Sequence, residues 1–139
     1  MSIGLERLQG IEQAAQSSGA SIERVDMEYD LDQANQVVAR WREEPRPSAV
    51  FAYNDEYAMV LMRAIQDAGL RIPQDIAIVG CDNMPLCRML RPQLTSVQLS
   101  SQPLGPRVAD LLATLIHDDH VQHTLLNLLD PQLVVRDST

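Results

Sequence analysis

Apolar positions in this chain recur in two rhythms, one stepping every three to four residues and one running unbroken, and they alternate along its length. The first rhythm predicts amphipathic helices and the second buried strands. From Gly4 to Ser17, the residues Leu5, Leu8, Ile11, Ala14 and Ala15 share a helical face, and Gly19 stands where a left-handed C-terminal residue would stop the helix. Ser21 to Met27 reads as a short strand. Asp30 followed by Gln33 is a capping-box-like start for a helix carrying Leu31, Ala34, Val37, Val38 and Trp41 and ending before Pro45. Ser48 to Tyr53 is a second apolar strand. Asn54 or Asp55 then caps a helix whose Ala58, Leu61, Met62 and Ile65 point inward until Gly69. The unbroken run Ile76, Ala77, Ile78, Val79 suits a parallel strand covered on both faces. An irregular stretch, PLCRMLRPQ, leads to a strand over Leu94 to Leu99. Ser101 and Pro103 announce a helix to about His117. Gly105 and Pro106 place its start near Leu104, since proline is tolerated only in the first turn. Two strands follow, near Thr124 to Leu129 and Gln132 to Arg136.

Strands alternating with helices of this length mean βαβ units, so the expected fold is α/β: a three-layer αβα sandwich around a mostly parallel sheet. Right-handed crossovers put the strand-to-helix loops on one edge, where open sheets of this kind bind ligands. Asn54 with Asp55, Asp82 with Asn83, and the turn from Asp26 to Asp30 should therefore collect along a single rim. Gly80 is expected to let the backbone turn closely ahead of Asp82. Each cluster also has a local use, because Asp and Asn shape turns and cap helices by bonding nearby backbone.

At 139 residues, with 45% hydrophobic content, the chain can build one domain with a sizeable core. It carries no apolar run long enough for a membrane span and no basic-then-apolar leader, which points to the cytoplasm. A net charge of -8 argues against a nucleic-acid surface within these residues, because duplex binding needs clustered cations. All eleven basic residues are arginines, scattered from Arg7 to Arg136. Cys81 and Cys87 match neither CxxC redox nor zinc spacing and read as reduced.

His117, His120 and His123 recur every three residues beside Asp118 and Asp119, but a surface connection with adventitious metal affinity accounts for them, and no functional metal or cofactor is expected. No GxSxG, GxxxxGK[ST] or GxGxxG pattern is present, and a phosphoryl-acceptor receiver would need a lysine near its acids, which this chain lacks. The expectation is a binding protein, not an enzyme.

Taken together, AVFAYNDEYAMVLMRAIQDAGLRIPQDIAIVGCDNMP, then LRPQLTSV, then LVVRDST resembles the C-terminal half of the lactose/galactose-repressor family, whose fold is shared with periplasmic sugar-binding proteins. The resemblance runs from the ERLQG helix to Thr139. It implies a C-terminal effector-binding subdomain over residues 1–139, with the helix-turn-helix headpiece, hinge and N-terminal subdomain not among them. It also implies a sugar-type effector, contacted by Arg7, Asn54 and Asp82, with Tyr29 of DMEYD as the stacking aromatic. Arginine's planar donors, a carboxylate's acceptors and an amide's mixture suit vicinal hydroxyls. The family dimerises through the helix after the ND pair and the following irregular loop, which marks Met59, Met62, Leu86, Met89 and Leu90 as a homodimer interface. Spacing alone would more often place such residues in a core. Operator DNA would be bound only by residues outside these. The alternative within the same fold is a sugar-binding protein of a transport system, which an upstream signal peptide in place of a basic headpiece would identify.

Overall fold

In the computed structural model, residues 3–43, 45–100, 103–117 and 130–139 are described. The elements in order are helix α1 (Ile3–Ser18), α2 (Leu31–Arg40), strand β1 (Ala49–Phe51), α3 (Asp55–Asp67), β2 (Ala77–Cys81), a 3-10 turn (Pro85–Arg88), β3 (Thr95–Gln98), α4 (Leu104–His117) and β4 (Gln132–Val134). Among the described residues the sheet has four strands in the order β1-β2-β3-β4. Val50 lies opposite Ile78 and Gly80 opposite Ser96 in parallel pairs, while Val97 faces Leu133 in an antiparallel pair. A mostly parallel open sheet with packed helices is the αβα architecture that the alternation of periods predicts.

The helix boundaries follow from local chemistry. Asp30 caps α2 by accepting from the Gln33 amide at 2.9 Å, but Gln33 does not complete the box: its Oε1 accepts from the Glu28 amide at 2.9 Å, gripping the incoming turn. Asn54 caps α3 by accepting from the Tyr57 amide at 3.0 Å. Gly19 and Gly69, with φ of 72° and 77°, end α1 and α3 in the left-handed region that glycine occupies without strain. Helix α4 begins at Leu104, as Gly105 and Pro106 require.

The core lies between α2, α3 and the sheet. Ala34, Val37, Val38 and Trp41 meet Ala58, Leu61, Met62, Ala64 and Ile65, with Ile76, Ile78 and Leu94 beneath. Each large aliphatic side chain so buried contributes about 1.5–3 kcal/mol.

Four expectations change. Ser21 to Met27 forms no strand, although Val25 and Met27 alternate inward, because among the described residues no strand lies alongside to share its hydrogen bonds. The run at Ser48 to Tyr53 is a short edge strand with Phe51 41% exposed, since among the described residues its one sheet neighbour is β2. Leu31 opens α2 on its exposed side and does not join the core. Helix α1 forms, but Leu8, Ile11 and Ala15 are only half-buried and stay outside the main cluster. The expected strand near Thr124 to Leu129 lies outside the described residues, as do His120 and His123.

Candidate functional site

The C-terminal ends of β1 and β2 face the same edge, and the loops leaving them carry the polar side chains. The β1–α3 loop contributes Tyr53 and Asn54 and the segment after β2 contributes Asp82 and Asn83; α1 brings Arg7 across to meet them. Arg7 Nη1 donates to the Tyr53 carbonyl at 2.9 Å, and its guanidinium carbon sits 5.3 Å from the centre of the Tyr53 ring, a cation over a π face. Tyr53 meets Tyr57 edge-on with centroids 6.2 Å apart, and Tyr57 meets Tyr29 at 5.6 Å. Arg7, Tyr53, Tyr57 and Tyr29 thus form one continuous row. Tyr53 and Tyr29 are each more than half exposed.

Arg7 and Asp82 both lie close enough to Cys81 to act on it electrostatically. Burial raises the Cys81 thiol above its ordinary pKa; Arg7 opposes the rise, and Asp82 and Asp55 add to it. The rim therefore offers an arginine fork, a carboxylate, an amide and exposed tyrosine faces. Asn54 spends its Oδ1 on the helix cap, which leaves its amide nitrogen as the group it can offer. The structure thus brings Arg7, Asn54, Asp82 and Tyr29 to one edge.

Asp55 does not reach the rim. It is fully buried; its Oδ1 accepts from Ser96 Oγ at 2.6 Å, and its Oδ2 accepts from the Met84 amide at 2.6 Å and the Cys87 thiol at 3.1 Å. One carboxylate thereby fastens the start of α3 to β3 and to the loop after β2. Burial first, then the hydrogen bond to Asp55 and that residue's charge, pushes the Cys87 thiol up to about 12, so it is a protonated donor at neutral pH. Gly80 does not make the turn either. It lies inside β2, where a Cβ would stand 2.2 Å from Asp55 Oδ1, and it is there to admit that carboxylate. The turn is made by Asp82 and Asn83, both at positive φ (105° and 54°).

The residues expected at a dimer interface divide. Met62 is 3% exposed and belongs to the core, because it shares the inward stripe of α3 with Ala58 and Ile65; it is not available to a partner. Met59 and Leu90 are partly buried against that core, whereas Leu86 and Met89 are exposed, Met89 by 72%. Sequence reasoning missed Tyr53 and Tyr57 as members of the aromatic row, Asp55 as a hub and Arg136 as a partner of the rim. For Asp55, the glycine inside an otherwise bulky strand was the available signal.

An open, mostly parallel sheet with a polar, aromatic rim at its strand ends defines a ligand-binding subdomain of the periplasmic-binding-protein type. The comparisons agree: the model of the periplasmic binding protein-like domain matches residues 2–139, and the chain belongs to that family. It is 32% identical over 139 residues to the HTH-type transcriptional repressor PurR of Vibrio vulnificus, covering 96% of this chain and 41% of that protein. It superposes on a LacI family transcriptional regulator from Arthrobacter in complex with lactose at 28% identity and a TM-score of 0.77, covering 94% of this chain and 49% of the other. A LacI family regulator from Enterococcus faecium with bound ribose gives 26% and 0.73, covering 98% and 51%. These likenesses are to lactose/galactose-repressor-type effector-binding domains. The chain spans about two-fifths of the length of the curated relatives it matches. Among the described residues no helix is long and apolar enough to cross a membrane.

Proposed function

We propose that this chain is the effector-binding part of a DNA-binding transcriptional repressor, and that its effector is a sugar or sugar derivative. The observation that carries the reading is the convergence of Arg7, Asn54 and Asp82 beside exposed tyrosine faces at the C-terminal edge of the sheet. Hydroxyls need mixed donors and acceptors, and the apolar face of a sugar ring packs on an aromatic. The solved relatives with lactose and ribose support that ligand class. Effector binding would shift an equilibrium between two arrangements of the repressor and so change its operator affinity. Operator contact is assigned to residues outside this acidic stretch, and such a protein works in the cytoplasm as a binder, not a catalyst. Because its curated relatives are repressors, we favour this over a transport role.

Asp82→Ala in the intact protein is expected to weaken sugar binding tenfold to a hundredfold, the loss of about 1.5–3 kcal/mol from a charged acceptor. Calorimetry with a panel of mono- and disaccharides that includes lactose and ribose tests this. Unchanged affinity would reduce Asp82 to a turn residue, and no binding by the unmodified protein would remove the sugar assignment.

Assembly is part of the same reading. Leu86 and Met89 are exposed apolar side chains, Met59 and Leu90 are partly buried ones, and we assign the four to a homodimer contact. Met89→Glu is expected to shift sedimentation from dimer to monomer at tens of micromolar protein, by mass action. An unmodified protein that sediments as a monomer there would refute the assignment.

A further inference from the structure

We infer that Arg136 and Asn83 are positioning residues for the Asp82 carboxylate: Arg136 grips the Asn83 side chain and so holds it in the left-handed turn that presents Asp82 at the rim. The inference rests on the ligand-binding reading above for its functional meaning, but its geometry stands apart from it.

Two consecutive non-glycine residues at positive φ, Asp82 and Asn83, are a strained arrangement that persists only where surrounding bonds over-determine it. Here they do. The Asp82 amide donates to the Val97 carbonyl at 2.8 Å, and the Asn83 amide donates to Ser96 Oγ at 3.0 Å. Both ends of the Asn83 side chain are also taken: Nδ2 donates to Gln98 Oε1 at 2.9 Å, and Oδ1 accepts from Arg136 Nη2 at 2.5 Å. With its donor end and its acceptor end each anchored, the amide is fixed in orientation between Gln98 and Arg136. Asp82 itself is exposed. Arg136 is held in turn, with Nη1 donating to the Leu94 carbonyl at 2.5 Å and its own amide donating to Thr95 Oγ1 at 2.9 Å. Its planar fork therefore spans from the start of β3 to the turn, a reach that a lysine's single ammonium cannot reproduce at both acceptors.

The test uses the intact protein and three variants. Arg136→Met removes the donors, Arg136→Lys keeps the charge and one contact, and Ser138→Ala is a control in the same segment. Ser138 Oγ donates to the Ile78 carbonyl and accepts from the Thr95 amide, bonds that do not involve Asn83. Hydrogen exchange of the peptide containing residues 82–84 is expected to speed up tenfold or more in Arg136→Met and to stay unchanged in Ser138→Ala. Lactose and ribose affinity, measured by calorimetry on whichever sugar binds the unmodified protein, is expected to fall at least tenfold in Arg136→Met, beyond any shift in unfolding midpoint, and to recover in part in Arg136→Lys. Should Arg136→Met fail to fold, Arg136→Lys carries the same comparison with a smaller expected change. Unaltered exchange at 82–84, or affinity losses that merely track stability in all three variants, would overturn the proposal. If the unmodified protein binds neither sugar, the ligand assignment fails and the exchange result alone decides the tether.

Discussion

Asp55→Ala is expected to destabilise the fold by about 3–5 kcal/mol, a large share of the roughly 5–15 kcal/mol that holds a typical domain together. The size follows from what is left behind. Removing the carboxylate strands the Met84 amide and the Ser96 hydroxyl in a site without solvent, each orphaned donor costing about 1–3 kcal/mol, and it also takes the acceptor of the Cys87 thiol. Asp55→Asn should cost much less, because its amide oxygen can still accept from Met84 while Ser96 turns to accept from the new NH₂. Urea unfolding of the three proteins measures the series. An alanine variant within about 1 kcal/mol of the unmodified protein would mean that the buried bonds contribute no more than ordinary exposed ones.

Gly80→Ala is the second large effect, and it probes the same carboxylate from the opposite side. The added methyl would lie 2.2 Å from Asp55 Oδ1, 3.1 Å from Leu94 Cδ2 and 3.3 Å from Asp55 Cα, so it meets a hydrogen-bonded carboxylate and backbone instead of empty space. Overpacking of this kind costs about 1–3 kcal/mol, and the upper part of that range is expected because three hydrogen bonds resist movement of Asp55. The two substitutions should couple. In an Asp55→Ala background the methyl meets less, and the cost of Gly80→Ala should shrink by at least about 0.5 kcal/mol, the usual scale for residues in contact. Strict additivity in the double-mutant cycle would show that Gly80 is required for some reason other than room for Asp55.

The parts of the molecule that were legible in the sequence are those whose physics is local. A cap at Asn54 or Asp55, Gly19 and Gly69 as stops, and the apolar stripe of α3 are decided within a few residues, and the structure shows each of them, with Asn54 as the cap. The placement of Asp82 and Asn83 at a strand end followed from the unbroken run before them. What escaped depends on distant chain. Nothing near Asn54 and Asp55 distinguishes the capping residue from the buried one, because Ser96, which draws Asp55 inward, lies 41 positions away. Arg136 lies 53 positions from the asparagine it grips, and its own neighbours are unremarkable. Ser21 to Met27 has the alternation of a strand, but a strand exists only with a partner, and pairing is not a property of a segment. Met62 shows the converse. Its apolar character fits either core or interface, and only its place beside Ala58 and Ile65 decides for the core.

The antiparallel pairing of β3 with β4 has a consequence in terms of register. Ser96 faces Val134 and Gln98 faces Gln132, so the strand bearing Ser96 and Gln98 and the segment bearing Arg136 are indexed to one another residue by residue. Both grip Asn83. A slip of two residues, the smallest that keeps each side chain on its own face, would carry Arg136 about 7 Å along the ladder. No rotamer of Asn83 could then satisfy Gln98 and Arg136 together. The geometry of the rim and the alignment of two strands beside it are in this sense a single variable, and anything that pulls on the chain between Gln98 and Gln132 acts on the turn that holds Asp82.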